Sequence, residues 1–385
     1  MTSPSINRRF ALLLVSTLAV IASACSSSGS GSAARSGDAC KLRDAYKIEQ
    51  AGSSYIRCEI VEGTSLHSTN PETNAKFVWT ETTEAQFVLA NASNETLRID
   101  GSSTVYPLTA VAAKYFENAT KSVIGKNGAK VTVGISGTGG GFEKFCKDET
   151  DISDASRAIK STEAANCAQA GIAYTEVLIA NDGIAVVVNP KNTWAKCLTM
   201  TEMEKIWGPT SKVKKWSEVR DGFPDTTIKL YGAGTDSGTF DAFTTFVNGT
   251  SGVVRKEGVQ TSEDDNVTVR GVQSDAGAMG YFGLSYAIEN SNSVTAIQLD
   301  NGAGCTDPTE ATVQAYTYPM SRPLYIYVKN VSITTKPAVG AFVQFYADNL
   351  KQISADALFV PLTDTQIATL QSEMAKIAAL PRVEN

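Results

Sequence analysis

The sequence predicts an α/β protein whose main body folds into two lobes joined by two crossing strands. From residue 97 onward, short β-type runs such as 97–100 and 130–135 alternate with stretches of helical spacing such as 109–119. Alternation of this kind is typical of α/β architectures with a mainly parallel sheet. The two most strand-like runs, 184–189 and 324–329, divide the body into nearly equal parts, as expected of strands that cross between lobes.

Size and charge limit the class of protein. The chain has 385 residues, enough for two or three domains, with 40 acidic and 34 basic side chains and a net charge of −6. An acidic chain of this kind does not have the basic footprint of a nucleic-acid-binding protein, so no nucleic acid is expected as a partner. The single histidine, His67, lies in a polar stretch and is expected on an exposed loop. Imidazole catalysis, a metal site and a cofactor are therefore not expected.

The first 24 residues have the form of an export signal. Arg8 and Arg9 precede the apolar run 10–22, and the small residues 22–24 lead directly to Cys25. This run is too short for a spanning helix and is typical of a secretory signal peptide. The cysteine position resembles the lipobox of bacterial lipoproteins, where the cysteine is acylated; a plain signal peptide with a chance cysteine is the alternative. The arginine pair leaves both the general and the twin-arginine export routes open.

Residues 25–37 are rich in serine and glycine and are expected to form a flexible tether behind the lipidated cysteine. Removal of residues 1–24 takes away two arginines and no acid, so the net charge of the mature chain becomes −8. No later stretch is long and apolar enough to span a membrane. The protein is therefore expected to be anchored to the outer face of the cytoplasmic membrane, in the periplasm or at the cell surface.

Residues 38–95 precede the α/β body and are expected to be polar and irregular. Only the runs 76–80 and 85–90 are strand-like. The sequence indicates no function for this segment.

Six cysteines follow the acylated one, and an even number in an exported chain indicates three disulfides. Six cysteines allow 15 connectivities. Cys146 and Cys167 flank a short segment, and a bridge between them would remove roughly 3 kcal/mol of chain entropy from the unfolded state. The absence of any Cys-x-x-Cys pair argues against a metal site. The expected pairs are Cys146–Cys167, Cys40–Cys58 and Cys197–Cys305.

Three segments repeat the order strand, loop rich in Ser, Thr and Gly, and helix: residues 99–107, 134–142 and 230–240. Each loop places helix-start N–H groups and hydroxyls together, and hydrogen bonds to an anion contribute roughly 1.5–3 kcal/mol each. Neither a nucleotide-binding fingerprint nor a Gly-x-Ser-x-Gly elbow is present. Taken singly, each loop is explained by capping and turn chemistry. Three in one exported chain favour a site for a tetrahedral oxyanion.

Arg157 is the one fixed positive charge expected in this site. It follows a strand of small residues, and a guanidinium can bind two oxygens of a phosphate at once. The alternative is a surface arginine paired with Asp154 or Glu149.

At these loops the sequence resembles the periplasmic-type phosphate-binding proteins of bacterial phosphate ABC importers. The resemblance implies a type II-like periplasmic-binding-protein fold, with residues 96–183 and 322–385 in the first lobe and 184–321 in the second. It implies a monomer that performs no chemistry, binds inorganic phosphate and delivers it to an ABC permease. Besides the loops, the resemblance rests on residues 198–209, 216–220, 262–266 and 277–281.

The resemblance also implies the ligands of the anion, which are Thr104, the Val105 amide, Thr138, the Gly139 amide, Ser237, Gly238 and Thr239. Two positions depart from the best-known branch, which has an aspartate in place of Arg157 and an arginine in place of Ala233. That aspartate accepts the proton of hydrogen phosphate and rejects sulfate.

Three acids are candidates to replace this aspartate: Asp236, Asp264 and Asp265, of which Asp265 is preferred. The departure leaves a receptor for sulfate, molybdate or tungstate as the alternative function. A phosphatase, from a different class, would need a nucleophile or a metal cluster that these loops do not supply.

Overall fold

The computed structural model describes residues 34–41, 44, 48–51, 54–61, 64, 74, 76–82, 96–124, 129–235 and 237–380. The signal segment, Cys25, His67, Asp236 and the run 85–90 lie outside these described residues. No helix in the described ranges combines the length and the apolar character needed to cross a membrane.

A four-stranded antiparallel sheet precedes the main body. Its strands are β1 (Ala39–Cys40), β2 (Ile48–Ala51), β3 (Ser54–Ile60) and β4 (Phe77–Thr82), in the order β1-β4-β3-β2. The expectation of an irregular segment is therefore wrong for β1, β2 and β3, whereas β4 confirms the strand-like run 76–80. Alternate residues of β3 and β4 point inward, and Ile56 and Trp79 are buried in the core of the first lobe. A sheet with one buried face gives only a short alternating pattern in the sequence.

The main body contains one sheet of nine described strands that runs through both lobes, in the order β11-β10-β12-β8-β15-β7-β5-β6 with β13 beside β8. A further pair, β9 and β14, forms its own small sheet. The strands are β5 (Thr96–Gly101), β6 (Lys130–Ile135), β7 (Ile152–Ala155), β8 (Tyr174–Val188), β9 (Cys197–Thr199), β10 (Lys229–Ala233), β11 (Val259–Ser262), β12 (Ala278–Gly283), β13 (Thr295–Ala296), β14 (Gln298–Asp300) and β15 (Ser321–Lys329).

Helices pack on this sheet. From β5 to β15 they alternate with strands as the sequence predicts, and the last four helices follow one another after β15. They are α1 (Tyr106–Ile124), α2 (Gly137–Cys146), α3 (Ser161–Gln169), α4 (Met200–Trp207), α5 (Gly238–Asn248), α6 (Asp265–Ser274), α7 (Leu284–Glu289), α8 (Glu310–Gln314), α9 (Asn330–Thr335), α10 (Pro337–Asp348), α11 (Leu350–Asp356) and α12 (Asp364–Ala378).

The sheet is parallel at its outer strands and antiparallel at its centre. Strand β5 is parallel to β6 and β7, and β10 is parallel to β11 and β12. Strand β8 is antiparallel to both β12 and β15. The prediction of a mainly parallel sheet is wrong at the centre, because two strands that cross between lobes in opposite directions must pair antiparallel.

The two predicted crossing strands are confirmed as β8 and β15. Strand β8 has 15 residues. Its residues 174–183 pair with β15, and its residues 184–188 pair with β12 of the second lobe. The pairing of β8 with β15 shifts register between Leu324 and Tyr325. One continuous strand therefore belongs to both lobes.

Each lobe has its own hydrophobic core. The first contains Phe116 and Phe342, whose ring centroids are 5.4 Å apart. The second contains Trp207 and the stacked rings of Phe243 and Tyr281, with centroids 3.6 Å apart. The lobes are thus separately packed units that share the crossing strands.

The described residues contain three disulfides, and these join the three predicted cysteine pairs. The bridge from α2 to α3 has a Cα–Cα distance of 4.4 Å, and the other two have distances of 6.0 and 6.1 Å. The pairs are Cys146–Cys167, Cys40–Cys58 and Cys197–Cys305.

Candidate functional site

The three Ser/Thr/Gly-rich loops each connect a strand to the start of a helix. The first joins β5 to α1, the second joins β6 to α2 and the third joins β10 to α5. Because the first amides of a helix have no acceptor within it, each loop presents N–H donors at the positive end of a helix dipole. The first two loops belong to the first lobe and the third belongs to the second.

The first loop turns sharply at Gly101, whose φ of +150° is a conformation that L side chains rarely adopt. A Cβ there would lie 2.1 Å from the backbone oxygen of Asp154. The next amide, of Ser102, donates to that same oxygen at 2.9 Å. This turn directs Thr104, which is 4 % exposed, toward the second lobe.

The two lobes contact each other directly at this loop. The Thr104 hydroxyl donates to the backbone oxygen of Gly238, the first residue of α5, at 3.0 Å. The neighbouring Ser103 hydroxyl donates to a carboxylate oxygen of Asp241 at 2.5 Å. The structure therefore shows the lobes closed on each other at the starts of α1 and α5.

A cavity of about 370 Å³ lies between the lobes at this contact. Hydroxyls, glycines and two arginines dominate its lining. The first lobe contributes Ser102, Ser103, Thr104, Gly137, Thr138, Gly139, Ser156 and Arg157, the second contributes Asp241, Thr245, Phe246 and Ser251, and strand β15 contributes Arg322.

The eight predicted ligands divide into two groups. Four of them line the cavity, whereas Val105, Ser237, Gly238 and Thr239 do not. Val105 is fully buried at the start of α1, Ser237 accepts the amide of Thr239 at 3.1 Å as the cap of α5, and Gly238 accepts the hydrogen bond from Thr104. The four that line the cavity are Thr104, Thr138, Gly139 and Arg157.

Arg157 reaches the cavity, but both ends of its guanidinium group bind a carboxylate. Its two terminal nitrogens donate to the two oxygens of Glu163, at 2.8 and 2.7 Å. Burial alone would raise the pKa of Glu163; hydrogen bonds and charges from Arg157 and Lys160 outweigh it and lower that pKa. The alternative partners considered from the sequence, Asp154 and Glu149, are not the ones that the structure shows.

Arg322 is a second cavity arginine with a different environment. Its Nε donates to Asp182 on β8 at 3.0 Å, and one terminal nitrogen donates to the Thr104 hydroxyl at 2.8 Å. Its guanidinium carbon lies 5.4 Å from the ring centroid of Phe246. Burial raises the pKa of Asp182, and the charge and hydrogen bond of Arg322 offset only part of that rise. This arginine contacts the crossing strand and both lobes.

The acidic residue of the cavity is Asp241, in the first turn of α5. Its second carboxylate oxygen accepts the Ser251 hydroxyl. The sequence instead favoured other acids. Asp264 caps α6 by accepting the amide of Asn266 at 2.9 Å, and neither it nor Asp265 lines the cavity. Burial, with the charges of Asp264 and Glu263, raises the pKa of Asp265 to about 6.

A buried carboxyl group lies directly behind the first loop. Asp154 accepts the Thr109 hydroxyl at 3.0 Å through one oxygen, and within the described residues its other oxygen has no hydrogen-bond partner. Burial raises its pKa to about 8; the bond from Thr109 lowers it in part and the charge of Asp100 adds to the rise. Asp154 is therefore largely protonated at neutral pH.

The arrangement is suited to binding an anion. Donors converge from two helix starts, several hydroxyls and two guanidinium groups. Within the described ranges, no group of three or more His, Cys, Asp or Glu side chains is placed to hold a metal ion.

Comparison with known proteins assigns the family. Residues 81–349, more than half of the chain, match the PBP superfamily domain. This chain belongs to the PBP superfamily. The PBP match begins within β4, so β1, β2 and β3 precede it.

Relatives from two groups of bacteria share most of this PBP region. Protein SphX of Synechocystis sp. is 42% identical over 275 residues, which cover 71% of this chain and 80% of that protein. Phosphate-binding protein PstS of Staphylococcus saprophyticus is 34% identical over 279 residues, 72% of this chain and 84% of that protein.

Solved PBP structures agree with the fold. A possible phosphate binding protein from Planctomyces limnophilus is 41% identical with a TM-score of 0.69, over 73% of this chain and 98% of that one. An ABC-type phosphate transport receptor from Vibrio cholerae is 22% identical with a TM-score of 0.54, over 69% and 99%, and supports the fold alone.

Sequence reasoning missed two charged residues of this PBP cavity. Arg322 lies in a crossing strand, outside any glycine-rich loop, and its contact with Thr104 joins residues 218 positions apart. Asp241 stands four residues after Ser237, where an acid is explained by the helix dipole. The only available signal for Arg322 was its position two residues before the predicted crossing strand 324–329.

Proposed function

We propose that this protein binds inorganic phosphate outside the cytoplasmic membrane and delivers it to the permease of an ABC phosphate importer. The observation that carries the proposal is the cavity between the lobes, lined by hydroxyls, helix-start amides and guanidinium groups. The names of the relatives, phosphate-binding protein and possible phosphate binding protein, support phosphate as the anion.

The proposed ligands come from the starts of three helices and from the loop after β7. Amides and hydroxyls at helix starts bind an anion through several hydrogen bonds without a compensating cation for each charge. These ligands are Thr104, Val105, Thr138, Gly139, Arg157, Ser237, Gly238 and Thr239.

Binding and closure are one event in this proposal. An anion held by donors from both lobes stabilises the closed arrangement over the open one, and the closed shape is what a permease can recognise. The site binds and releases its ligand unchanged, so the protein is a transport receptor and not an enzyme. Turnover of a chromogenic phosphate ester that Ser237→Ala abolishes would contradict this.

The receptor is proposed to act as a monomer attached to the membrane through an acylated Cys25. The support is the lipobox-like sequence before that cysteine and the serine- and glycine-rich tether after it. Detergent-phase partitioning of the native protein that is unaffected by Cys25→Ser would contradict acylation.

Asp241 is proposed to supply the selectivity for phosphate over sulfate. At neutral pH phosphate retains a proton that sulfate lacks, and a carboxylate can accept that proton in a hydrogen bond. Facing sulfate, the same carboxylate would receive no proton from the ligand and would repel its negative charge, which is unfavourable. The two serine hydroxyls bound to Asp241 hold its carboxylate in the cavity.

Calorimetric titration of the mature protein with phosphate and sulfate tests both the phosphate assignment and the role of Asp241. We expect tight phosphate binding and at least about 100-fold weaker sulfate binding, since losing a hydrogen bond to a charged group and placing two like charges together costs a few kcal/mol. Asp241→Asn should reduce this ratio about tenfold or more, because an amide can donate to sulfate.

The matched control is Asp225→Asn, an acid on the surface of the second lobe that pairs with Lys215. It should leave both affinities unchanged. Equal affinity of the wild-type protein for sulfate and phosphate would overturn the phosphate assignment, and an unchanged ratio in Asp241→Asn would overturn the role of Asp241.

A further inference from the structure

The ion pair between Arg322 and Asp182 lies where the two crossing strands meet. The two residues are direct partners in the β8–β15 register. Their side chains are only 16% and 7% exposed, so the pair is largely removed from water. Because β8 and β15 serve both lobes, a group fixed between them keeps its position whichever lobe moves.

The guanidinium group of Arg322 extends from this pair into the cavity. Asp182 occupies only Nε, and Thr104 accepts from one terminal nitrogen. These bonds use two of the five N–H groups, and within the described part of the chain no hydrogen bond involves the other three. The cavity lining includes Arg322 but not Asp182. The unused donors therefore belong to the part of the side chain that borders the cavity.

We propose that Arg322, and not Arg157, is the principal cationic ligand of the bound anion. The inference rests on the proposed function and names the charged group of that site. Arg322 offers its terminal N–H groups to the anion, while its pairing with Asp182 holds the guanidinium group in place from behind. The anion is thereby bound to the crossing strands β8 and β15 as well as to each lobe.

The contrast with Arg157 supports this ranking. Glu163 takes both terminal nitrogens of Arg157, which are the two that would otherwise bind two oxygens of phosphate. The Arg157 side chain is also 33% exposed, about twice as much as that of Arg322. Water weakens an exposed charge–charge interaction, so the more buried arginine contributes more to binding.

The three-way contact of Arg322 also explains how binding could be coupled to closure. Thr104 lies on the first lobe, Phe246 on the second and Asp182 on the hinge strand. An anion bound to Arg322 is already at the junction of all three. Closing either lobe then adds ligands to an anion whose position is set.

Calorimetric titration with inorganic phosphate tests the ranking with the same substitution at three arginines. Arg322→Gln is expected to weaken binding by about 100-fold or more, the equivalent of two hydrogen bonds to a charged group. Arg157→Gln is expected to weaken it by about fivefold. The control, Arg220→Gln, removes an arginine that pairs with Glu202 and packs on Phe223 outside the cavity, and should leave the affinity unchanged. A loss in Arg157→Gln equal to or greater than that in Arg322→Gln overturns the proposal.

Circular dichroism and thermal unfolding without phosphate report whether each variant folds. If Arg322→Gln does not fold, Arg322→Lys carries the test, because it keeps the charge opposite Asp182 but loses the planar pair of donors. About tenfold weaker binding by Arg322→Lys supports the proposal, and wild-type affinity overturns it.

Failure of the proposed function has a separate signature. If the wild-type protein binds sulfate, molybdate or tungstate but not phosphate, the phosphate assignment fails, and the same three variants titrated with the bound oxyanion still rank the arginines. If the wild-type protein binds none of these anions, both the proposed function and the role of Arg322 are overturned.

Discussion

Asp154 is a single residue whose charge is linked to the stability of the first loop. Its backbone oxygen holds the amide of Ser102, while its carboxyl group lies in the interior with a pKa raised to about 8 by burial. In the unfolded chain an aspartate titrates near pH 4. Between about pH 4 and 8 the folded protein therefore binds one more proton at Asp154 than the unfolded chain does.

This difference predicts the sign of a pH effect. The free energy of unfolding should fall as pH rises through that window, by about 1.4 kcal/mol per pH unit from this residue. Asp154→Asn, which does not titrate, should be more stable than the wild type at pH 7 and should lose this slope. Urea unfolding at pH 5, 6, 7 and 8 measures it.

Asp151 is the matched control, since its net pKa shift is opposite. Burial raises the pKa of Asp151, but hydrogen bonds from Lys336, Arg98 and Ser332 and the charge of Lys336 outweigh burial and lower it. The stability that Asp151 contributes is present above its unfolded pKa and is lost as pH falls. Asp151→Asn should therefore be less stable than the wild type at pH 7. If the free energies of unfolding of the wild type and Asp154→Asn changed with pH in parallel, a raised pKa at Asp154 would be contradicted.

Helix α5 approaches the first lobe so closely that its first residue has no room for a side chain. A Cβ on Gly238 would lie 2.5 Å from the Cα of Thr104 and 2.6 Å from the backbone oxygen of Ser103. Neither atom can move away easily, because both belong to the loop that Gly101 and Asp154 hold. Closure of this helix start on the opposite loop therefore requires glycine.

Gly238→Ala should favour the open arrangement of the lobes. We expect phosphate affinity to fall at least about tenfold, the effect of roughly 1.4 kcal/mol against closure, with little loss of stability in the absence of phosphate. Calorimetry and small-angle scattering with and without phosphate measure affinity and closure.

The control substitution is Gly340→Ala within α10, where the new Cβ would lie 3.6 Å from a methyl carbon of Ile333, an ordinary contact. It should leave affinity unchanged and stabilise the helix by about 0.5–1 kcal/mol. Wild-type affinity and normal closure in Gly238→Ala would show that the lobes do not meet at this point.

The whole molecule is cross-linked at very different chain separations. The bridge Cys197–Cys305 joins residues 108 positions apart, across most of the second lobe, whereas Cys146–Cys167 joins residues 21 apart within the first. A longer closed loop loses more entropy in the unfolded chain when it is bridged.

Removing the long bridge should therefore cost more stability than removing the short one. The Cys197→Ser, Cys305→Ser double variant should lose about 4–5 kcal/mol and the Cys146→Ser, Cys167→Ser variant about 3 kcal/mol. Urea unfolding followed by tryptophan fluorescence reports mainly on the second lobe, and circular dichroism reports on both. The reverse order of the two losses would contradict the loop-length argument.

Local patterns were sufficient to predict much of this molecule. Helical spacing predicted α1, the β-type runs predicted β5 and β6, and clusters of Ser, Thr and Gly marked the starts of α2 and α5. Each of these signals extends over fewer than a dozen neighbouring residues. The two crossing strands were also visible in part, as the six-residue strand-like runs 184–189 and 324–329.

Contacts between distant parts of the chain were not predictable in this way. The ion pair of Arg322 with Asp182 joins residues 140 apart, and the bond from Ser103 to Asp241 joins residues 138 apart. No local pattern records which arginine faces a cavity or which carboxylate neutralises it. The antiparallel centre of the sheet likewise depends on the direction in which the chain crosses between lobes.

The two lobes are connected by hydrogen-bonded strands instead of a flexible linker. Strands β8 and β15 pair over residues 174–183 and 321–329, and the single register shift lies within that pairing. A free linker would lose backbone conformational entropy each time the lobes closed on a ligand. A paired hinge loses that entropy once, when the protein folds, so more of the contact free energy at the cavity remains as affinity for the ligand.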